Sequence, residues 1–524
     1  MPASFRPRCR RLVLLALAVL PGATWAAPVP ADFDPLEATL PELQVAMGSG
    51  RITAVALVDY YLARIEALDD AGPALNAIAA INPNARQRAA ILDLERAEGR
   101  VRGPLHGIPV VVKDNFETRG MPTTAGSAAL AGFQPERDAF VVRRLREAGA
   151  IILAKTNMHE FAYGITSVGS AFGSVRNPYD LRRTPGGSSG GSAAAVTANL
   201  AAAGLGTDTC GSVRIPAAFT NLVGVRATQG LISRRGIVPL SHTQDIAGPL
   251  TRSVVDAALL LDVLAAVDEA DPQTADGYRR RPDSYLEGLA PGALRGARIG
   301  LLEEALLVEP EDGPVAAVVG EAVNRMQALG ATIVRVSMPE LWPTLESRLS
   351  GFFVLVYDFK QDINAYLRDQ ANAPVGSLAE ILAAGVHHPE VDASLRASEA
   401  MAAGSRRDYL AELAHRDEAR RRLLALMAKE RLDALAYPAV RRDPARIGQS
   451  QPGSNCLLSA NTGLPAVVVP AGFTPRGLPA GLELLGVPWG EAALLALAYD
   501  YEQATRPRRA PPADLRPAAA TGDR

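Results

Sequence analysis

The chain has 524 residues, 48% hydrophobic and 21% charged, with 54 basic side chains against 56 acidic ones. That apolar share supplies a large core and excludes a disordered or fibrous chain. The near-balanced charge argues against nucleic acid as a partner. No stretch reaches the ~18 consecutive apolar residues that a membrane span requires.

In chain order, the first element is a leader. Arg6, Arg8, Arg10 and Arg11 precede the short apolar run Leu12–Leu20, Pro21 and Gly22 break it, and Thr24 and Ala26 supply small residues at a cleavage site. This pattern predicts a signal peptide over 1–26, removed on export to the periplasm or medium. A helix is expected from Ala54 to Leu68, capped by Thr53. Val110–Val112 reads as a buried strand, Ala139–Ala148 as a helix ended by Gly149, and Ile151–Leu153 as a second strand. That alternation predicts an α/β class sheet with helices on its faces. A buried helix is expected over Ala193–Leu205. Further strands are expected at Arg298–Leu302, Thr332–Val336, Ala466–Val469 and Leu482–Leu485. The stretch 270–440 carries long helical patterns, Ala411–Lys429 among them, and is expected to form a helical substrate-side subdomain or lid. Residues 27–505 read as a single domain. The Pro- and Ala-rich tail 506–524 is expected to be disordered.

Only four of the 54 basic residues are lysines: Lys113, Lys155, Lys360 and Lys429. Arginine does not give up its proton, whereas a desolvated lysine does. Codon bias accounts for Lys360 and Lys429. It accounts less well for Lys113, which closes the apolar run Pro109–Val112. A lysine there is either an ion-pair partner, with Asp114 at hand, or a base whose pKa burial lowers by roughly 3 units from ~10.4.

Two loops follow that are made of small residues. Residues 184–192 read TPGGSSGGS, and 206–214 read GTDTCGSVR. Such loops bring N–H groups and hydroxyls close to a ligand. A phosphate cradle would need a Lys after the glycines, and none is present. A nucleophile elbow, Gly187-Ser188-Ser189-Gly190-Gly191, would need a preceding strand, but Tyr179–Pro185 is polar and proline-broken. It would also need a later acid and histidine. His387, His388 and His415 lie far from the C-terminal strands in sequence. A third reading pairs the two serine loops with Lys113 as a neutral base. The histidines show no metal-ligand spacing, so neither metal nor cofactor is expected.

GPLHGIPVVVKDNF, GGSSGGSAAAV and GTDTCGSVR, in this order, resemble the amidase signature family of Ser-cisSer-Lys amidohydrolases, with the family's 24-residue step from Ser188 to Ser212. AGAIILAKTNMHEF, LVGVRATQGLISRRGIVPLSHTQDIAGPLTRSV, NTGLPAVVVPAGF and GLPAGLELLG extend the resemblance over about 35–505. Within the family the chain is most similar to bacterial peptide amidases. The resemblance implies a mixed twisted β-sheet flanked by helices on both faces. It implies Ser212 as acyl-forming nucleophile, Ser188 as bridging serine after a cis bond from Gly187, and Lys113 as base. It further implies an oxyanion hole built from the N–H groups of Thr209, Cys210, Gly211 and Ser212. Ser189 and Asp208 are expected to position the loops, and Arg214 to support the loop base.

The family commonly has glycine where this chain has Cys210, which makes the pocket unusual. Cys210 reads first as a small apolar filler. Pairing with Cys456 stays open and would need Cα atoms within ~7 Å.

The implied function is an exported serine amidohydrolase cleaving a small-molecule or peptide amide. Two rivals stand beside it. A glutamine-hydrolysing amidotransferase component would need cytoplasm, partner subunits and tRNA, and the leader and charge balance oppose it. A silent binding protein of the same fold is opposed by the presence of Lys113 and both serines. Oligomeric state is not legible.

Overall fold

The run Pro109–Lys113 forms a strand whose every residue is buried. Proline stands at its first position, where no ladder donor is lost, and three β-branched valines fit the pleated surface. Around it the computed structural model describes residues 33–341, 353–401, 405–512 and 515. The leader expected at 1–26 lies outside the described residues.

Among the described residues, eleven strands make one sheet. In chain order they are β1 (Ile78–Ile81), β2 (Pro109–Lys113), β3 (Ile151–Thr156), β4 (Ala203–Asp208), β5 (Val223–Arg226) and β6 (Ile246–Thr251). β7 (Arg298–Leu302), β8 (Thr332–Val336), β9 (Ala434–Pro438), β10 (Ala466–Phe473) and β11 (Pro479–Leu485) complete it. Their spatial order is β1-β3-β2-β4-β6-β5-β10-β11-β9-β7-β8. β2 runs parallel to both β3 and β4, and β7 parallel to β8 and β9, while the centre from β4 through β6, β5, β10 and β11 to β9 is antiparallel. The sheet is therefore mixed, as expected for the α/β class. β2, β3, β4 and β6 are buried along their whole length, so helices and loops cover both of their faces.

The expected strands at 298–302 and 332–336 have those bounds, and those at 466 and 482 extend to Ala466–Phe473 and Pro479–Leu485. Three expectations are corrected. The helix predicted over Ala193–Leu205 spans Gly190–Thr197, and the chain then enters β4 at Ala203. A run of alanines carries neither a 3.6- nor a 2-residue apolar period, so the sequence does not mark the switch. The 270–440 stretch is not a helical unit. It supplies β7, β8 and β9 to the sheet. Its helices Val354–Arg368, Leu378–Ala384 and Pro389–Glu399 share a separate apolar core with Phe133, Met158, Phe161 and Leu240. Within the tail, finally, residues 506–512 are held by contacts to the body of the fold. Arg508 pairs with Glu37 at 2.7 Å and donates to the Asn221 carbonyl at 2.8 Å, and the Tyr179 hydroxyl donates to the Arg509 carbonyl.

The first predicted helix spans Ala54–Ile65, capped by Thr53, and continues as one wider turn over Glu66–Asp70. The helix Gly190–Thr197 lies tight against β1 and β3. A Cβ at Gly191 would stand 2.1 Å from the Asn157 carbonyl oxygen and 2.6 Å from that of Ala77, so only glycine allows this approach.

Candidate active site

Because β2 and β4 are parallel neighbours, their carboxyl ends lie side by side. That is the edge where open α/β sheets place ligands. Lys113 ends β2, and Thr207 and Asp208 end β4. The Lys113 ammonium nitrogen, fully buried, lies 2.6 Å from Ser188 Oγ and 2.7 Å from Thr207 Oγ1. Asn115 Nδ2 donates to the same Thr207 hydroxyl at 3.0 Å. Among the described residues no carboxylate pairs with Lys113. Asp114, the partner considered for it, faces Lys155 instead at 3.1 Å.

Ser188 follows a cis peptide bond from Gly187. Its carbonyl accepts from the His159 N–H at 3.0 Å. Ser167 buttresses the loop, its Oγ donating to the Gly186 carbonyl at 2.8 Å and accepting from Gly190 N–H at 2.9 Å. Ser189 makes no hydrogen bond to Lys113 among the described residues. Its hydroxyl donates to the Thr207 carbonyl at 3.1 Å, and its N–H donates to the Ser212 carbonyl at 3.2 Å. This residue therefore ties the two serine loops together, and its hydroxyl bonds to backbone where the elbow reading would require a histidine.

Ser212 sits between β4 and the helix Arg214–Phe219, 3% exposed. The turn is organised by the Asp208 carboxylate, which accepts from the N–H groups of Gly211 at 2.7 Å and Val213 at 3.2 Å. Arg214 and Arg226, both fully buried, pair with that carboxylate at 3.1 and 2.9 Å. Arg214 also reaches Glu483 at 2.6 Å. Arg214 thereby links the base of this turn to β11. The Ser188 and Ser212 hydroxyls share no hydrogen bond among the described residues. Their loops meet through Ser189.

The implied oxyanion set is modified by one member. Gly211 N–H is already engaged by Asp208, whereas the N–H groups of Thr209, Cys210 and Ser212 donate to no acceptor among the described residues. Thr209 Oγ1 donates to Asp245 at 2.5 Å, which sets the start of this turn. Cys210 is not a free filler. Its sulfur is bonded to Cys456, with Cα atoms 5.2 Å apart across 246 residues of sequence. Topology makes this pair, since Cys456 opens the short helix Leu457–Thr462 beside β10.

Electrostatics separate the site's charges. Burial lowers the Lys113 pKa to about 7, against an opposing pull from Asp245 and Asp208. At neutral pH a large share of Lys113 is therefore an uncharged amine that can accept a proton from Ser188. Burial alone would raise the Asp208 pKa, but Arg214 and Arg226 outweigh it and hold the carboxyl well below its ordinary range. Burial pushes His159 down to about 3, so its ring is neutral. Elsewhere, His242 Nδ1 meets Asp362 at 3.0 Å and Asp358 at 3.7 Å. Asp362 raises the pKa of His242, as in an ion pair.

Sequence reading gave no role to Thr207, Asn115, Asp245, Arg226 or Glu483. All five stand inside the segments quoted for the family resemblance, but no local pattern signals which of them approach the site.

A buried lysine against a serine, followed by a second serine on a turn with free N–H groups, defines a serine-based acyl-transfer site. The Amidase family model matches residues 56–495. A glutamyl-tRNA(Gln) amidotransferase subunit of Symbiobacterium thermophilum is 38% identical over 487 residues, covering 89% of this chain and 96% of that protein. The structure of native peptide amidase from Stenotrophomonas maltophilia has a TM-score of 0.84 and 40% identity, covering 93% of this chain and all of the other. The corresponding glutamyl-tRNA(Gln) amidotransferase subunit from Thermotoga maritima has a TM-score of 0.69 and 28% identity over 90% of this chain and 96% of its own. The chain belongs to the amidase family.

Proposed function

We propose that the protein is an exported amidohydrolase that cleaves a carboxylic amide, with a peptide amide as the favoured substrate class, through an acyl-enzyme on Ser212. The observation that carries this reading is the buried Lys113–Ser188 contact at 2.6 Å beside the Ser212 turn. Neutral Lys113 takes the Ser188 proton as Ser188 takes that of Ser212. Ser212 Oγ attacks the amide carbon, and the N–H groups of Thr209, Cys210 and Ser212 receive the developing oxyanion. The proton returns through Ser188 to the departing ammonia or amine, and water then hydrolyses the ester. Ser189 and Asp208 hold the loops and do not react.

The higher identity and TM-score of the peptide amidase structure, against those of the Thermotoga protein, support the substrate class. The leader pattern supports export. So does the disulfide, because such bonds persist in oxidising compartments and are rare in reducing ones. A second reading, a glutamine-hydrolysing component working with partner chains, draws support from the 38% identical relative.

The purified protein should be offered a C-terminal peptide amide, an oleamide-type amide, an aryl acetamide and glutamine, with released ammonia or amine measured. Turnover of the peptide amide is expected. Ammonia from glutamine alone would favour the second reading. A fluorophosphonate should label Ser212, and Ser212→Ala should abolish both label and turnover. Label on Ser189 would overturn the assignment. Cell fractionation with N-terminal sequencing tests export, and a chain that keeps Met1–Ala26 in the cytoplasm would overturn it.

A further inference from the structure

The Ser212 turn is held very differently on its two sides. On the Asp208 side, a carboxylate, two buried arginines and three backbone N–H groups fix the chain. On the Cys210 side, the backbone N–H is unengaged among the described residues and the disulfide is the side chain's tether. The next residue, Gly211, has φ +85°, a region where residues other than glycine are strained. A Cβ at Gly211 would stand 2.7 Å from Ile215 and 2.8 Å from Cys456 Cβ, so Cys456 packs directly against the turn.

The anchor at the other end is firm. Asn455 Nδ2 donates to the carbonyls of Ala305 at 2.8 Å and Pro438 at 2.7 Å, and the Cys456 carbonyl accepts from Arg214 at 3.2 Å. The same segment reaches the Ser188 loop, where Thr184 N–H donates to the Ala445 carbonyl at 3.0 Å. One stretch, 445–456, thus touches both serine loops.

We propose that the Cys210–Cys456 disulfide is a positioning element for catalysis: it holds the N–H groups of residues 209–212 in their working arrangement, so the amidase is active with the bond closed and impaired when a dithiol opens it. This rests on the acyl-enzyme reading above. Cys456 is buried at 8% exposure and Cys210 is only partly buried, so Cys210 is the side from which we propose that a small thiol enters. A dithiol thiolate attacks there and displaces the Cys456 thiolate. Its second thiol then closes a cyclic disulfide and releases Cys210. The reagent gives up two electrons and two protons, and each cysteine ends as a thiol. Glutathione disulfide reverses the exchange.

The test starts by counting thiols in the unfolded, unreduced full chain. Cys9 accounts for at most one, and two or three would overturn the proposal. The folded enzyme is then assayed on a peptide amide before and after dithiol treatment, with far-UV circular dichroism confirming that it stays folded. Losing one oxyanion donor lowers rate by about 10²–10³, so misplacing the turn should lower kcat at least tenfold with little change in KM. The fluorophosphonate labelling rate should fall in parallel, and glutathione disulfide should restore both. Cys456→Ser should show the lowered kcat without dithiol and no further response to it. A bridge that only stabilised the fold would lower Tm and leave kcat and labelling rate unchanged at temperatures well below Tm. That outcome overturns the proposal alone. An oxidised enzyme that neither labels nor turns over any amide overturns the acyl-enzyme reading, and this proposal with it.

Discussion

Lys113 and Lys155 sit one strand apart, at the ends of β2 and β3, and both are fully buried. Burial lowers the pKa of each. Their contacts part them. Lys155 faces the Asp114 carboxylate at 3.1 Å, with the Thr123 hydroxyl at 2.9 Å and the Pro122 carbonyl at 3.0 Å, and so has a counter-charge in contact. Lys113 touches two hydroxyls, of Ser188 and Thr207, and no carboxylate among the described residues. One lysine has a carboxylate in contact. The other has none among the described residues and is held near neutrality, at about 7, as the proposed base role requires. Placing the single carboxylate of Asp114 beside one strand end, not the other, separates the two roles.

The largest effect expected from breaking this difference is catalytic. Lys113→Ala and Lys113→Arg should both lower kcat by about 10²–10⁴, the span typical of a lost general base, because arginine keeps the charge but cannot be neutral. Activity retained in Lys113→Arg, measured per folded molecule, would make Lys113 an ion-pair residue like its neighbour.

On stability the two sites should behave oppositely. Lys155→Met leaves the Asp114 carboxylate buried without its counter-charge and should cost about 3–5 kcal/mol in denaturant unfolding. Lys113→Met removes a desolvated amine that has no carboxylate partner among the described residues, and should stabilise the fold by roughly 1–3 kcal/mol at pH 6. The folded pKa of Lys113, about 7, lies below its ordinary 10.5, so between those values the unfolded chain binds the extra proton. The penalty is full below pH 7 and is relieved as pH rises to about 10.5. The gain in Lys113→Met should therefore shrink between pH 6 and pH 10. A gain independent of pH would break the argument.

The same group sets the pH profile. In the proposed mechanism the neutral amine is the working form, so kcat/KM should rise with pH through about 7 and then level off. Lys113→Ala should lack that limb in its residual rate. Thr207→Val gives the smallest effect. It removes an acceptor that favours charged Lys113, so the limb should move to lower pH, by up to about one unit given a hydrogen bond worth ~1 kcal/mol. A shift to higher pH would mean that the Thr207 hydroxyl stabilises the neutral amine.

Much of this was legible in the chain itself. β-branched runs marked β2 and β3, the sparing use of lysine marked Lys113, and the glycine–serine composition marked both reactive loops. These are local signals, since strand propensity, charge choice and backbone freedom act within a few residues. The same kind of signal failed at Ala193–Asp208, where small residues fit a tight helix and a tight strand equally well, and at 506–512, where a polar, proline-rich tail is held by Glu37 and Asn221 far away in sequence.

What only the tertiary structure decided is which groups meet. Asp114 follows Lys113 directly, yet its carboxylate turns to Lys155 across the strand pair. Gly211 N–H goes to Asp208, leaving three of the implied four donors without an acceptor among the described residues. Cys210 and Cys456, 246 residues apart, close a bond that no spacing foretold. The sequence determined the chemical groups, because identity and local propensity are carried residue by residue. Their partners, and hence their charges and freedom to move, were decided by strand order and by burial, which exist only once the whole sheet has closed around them.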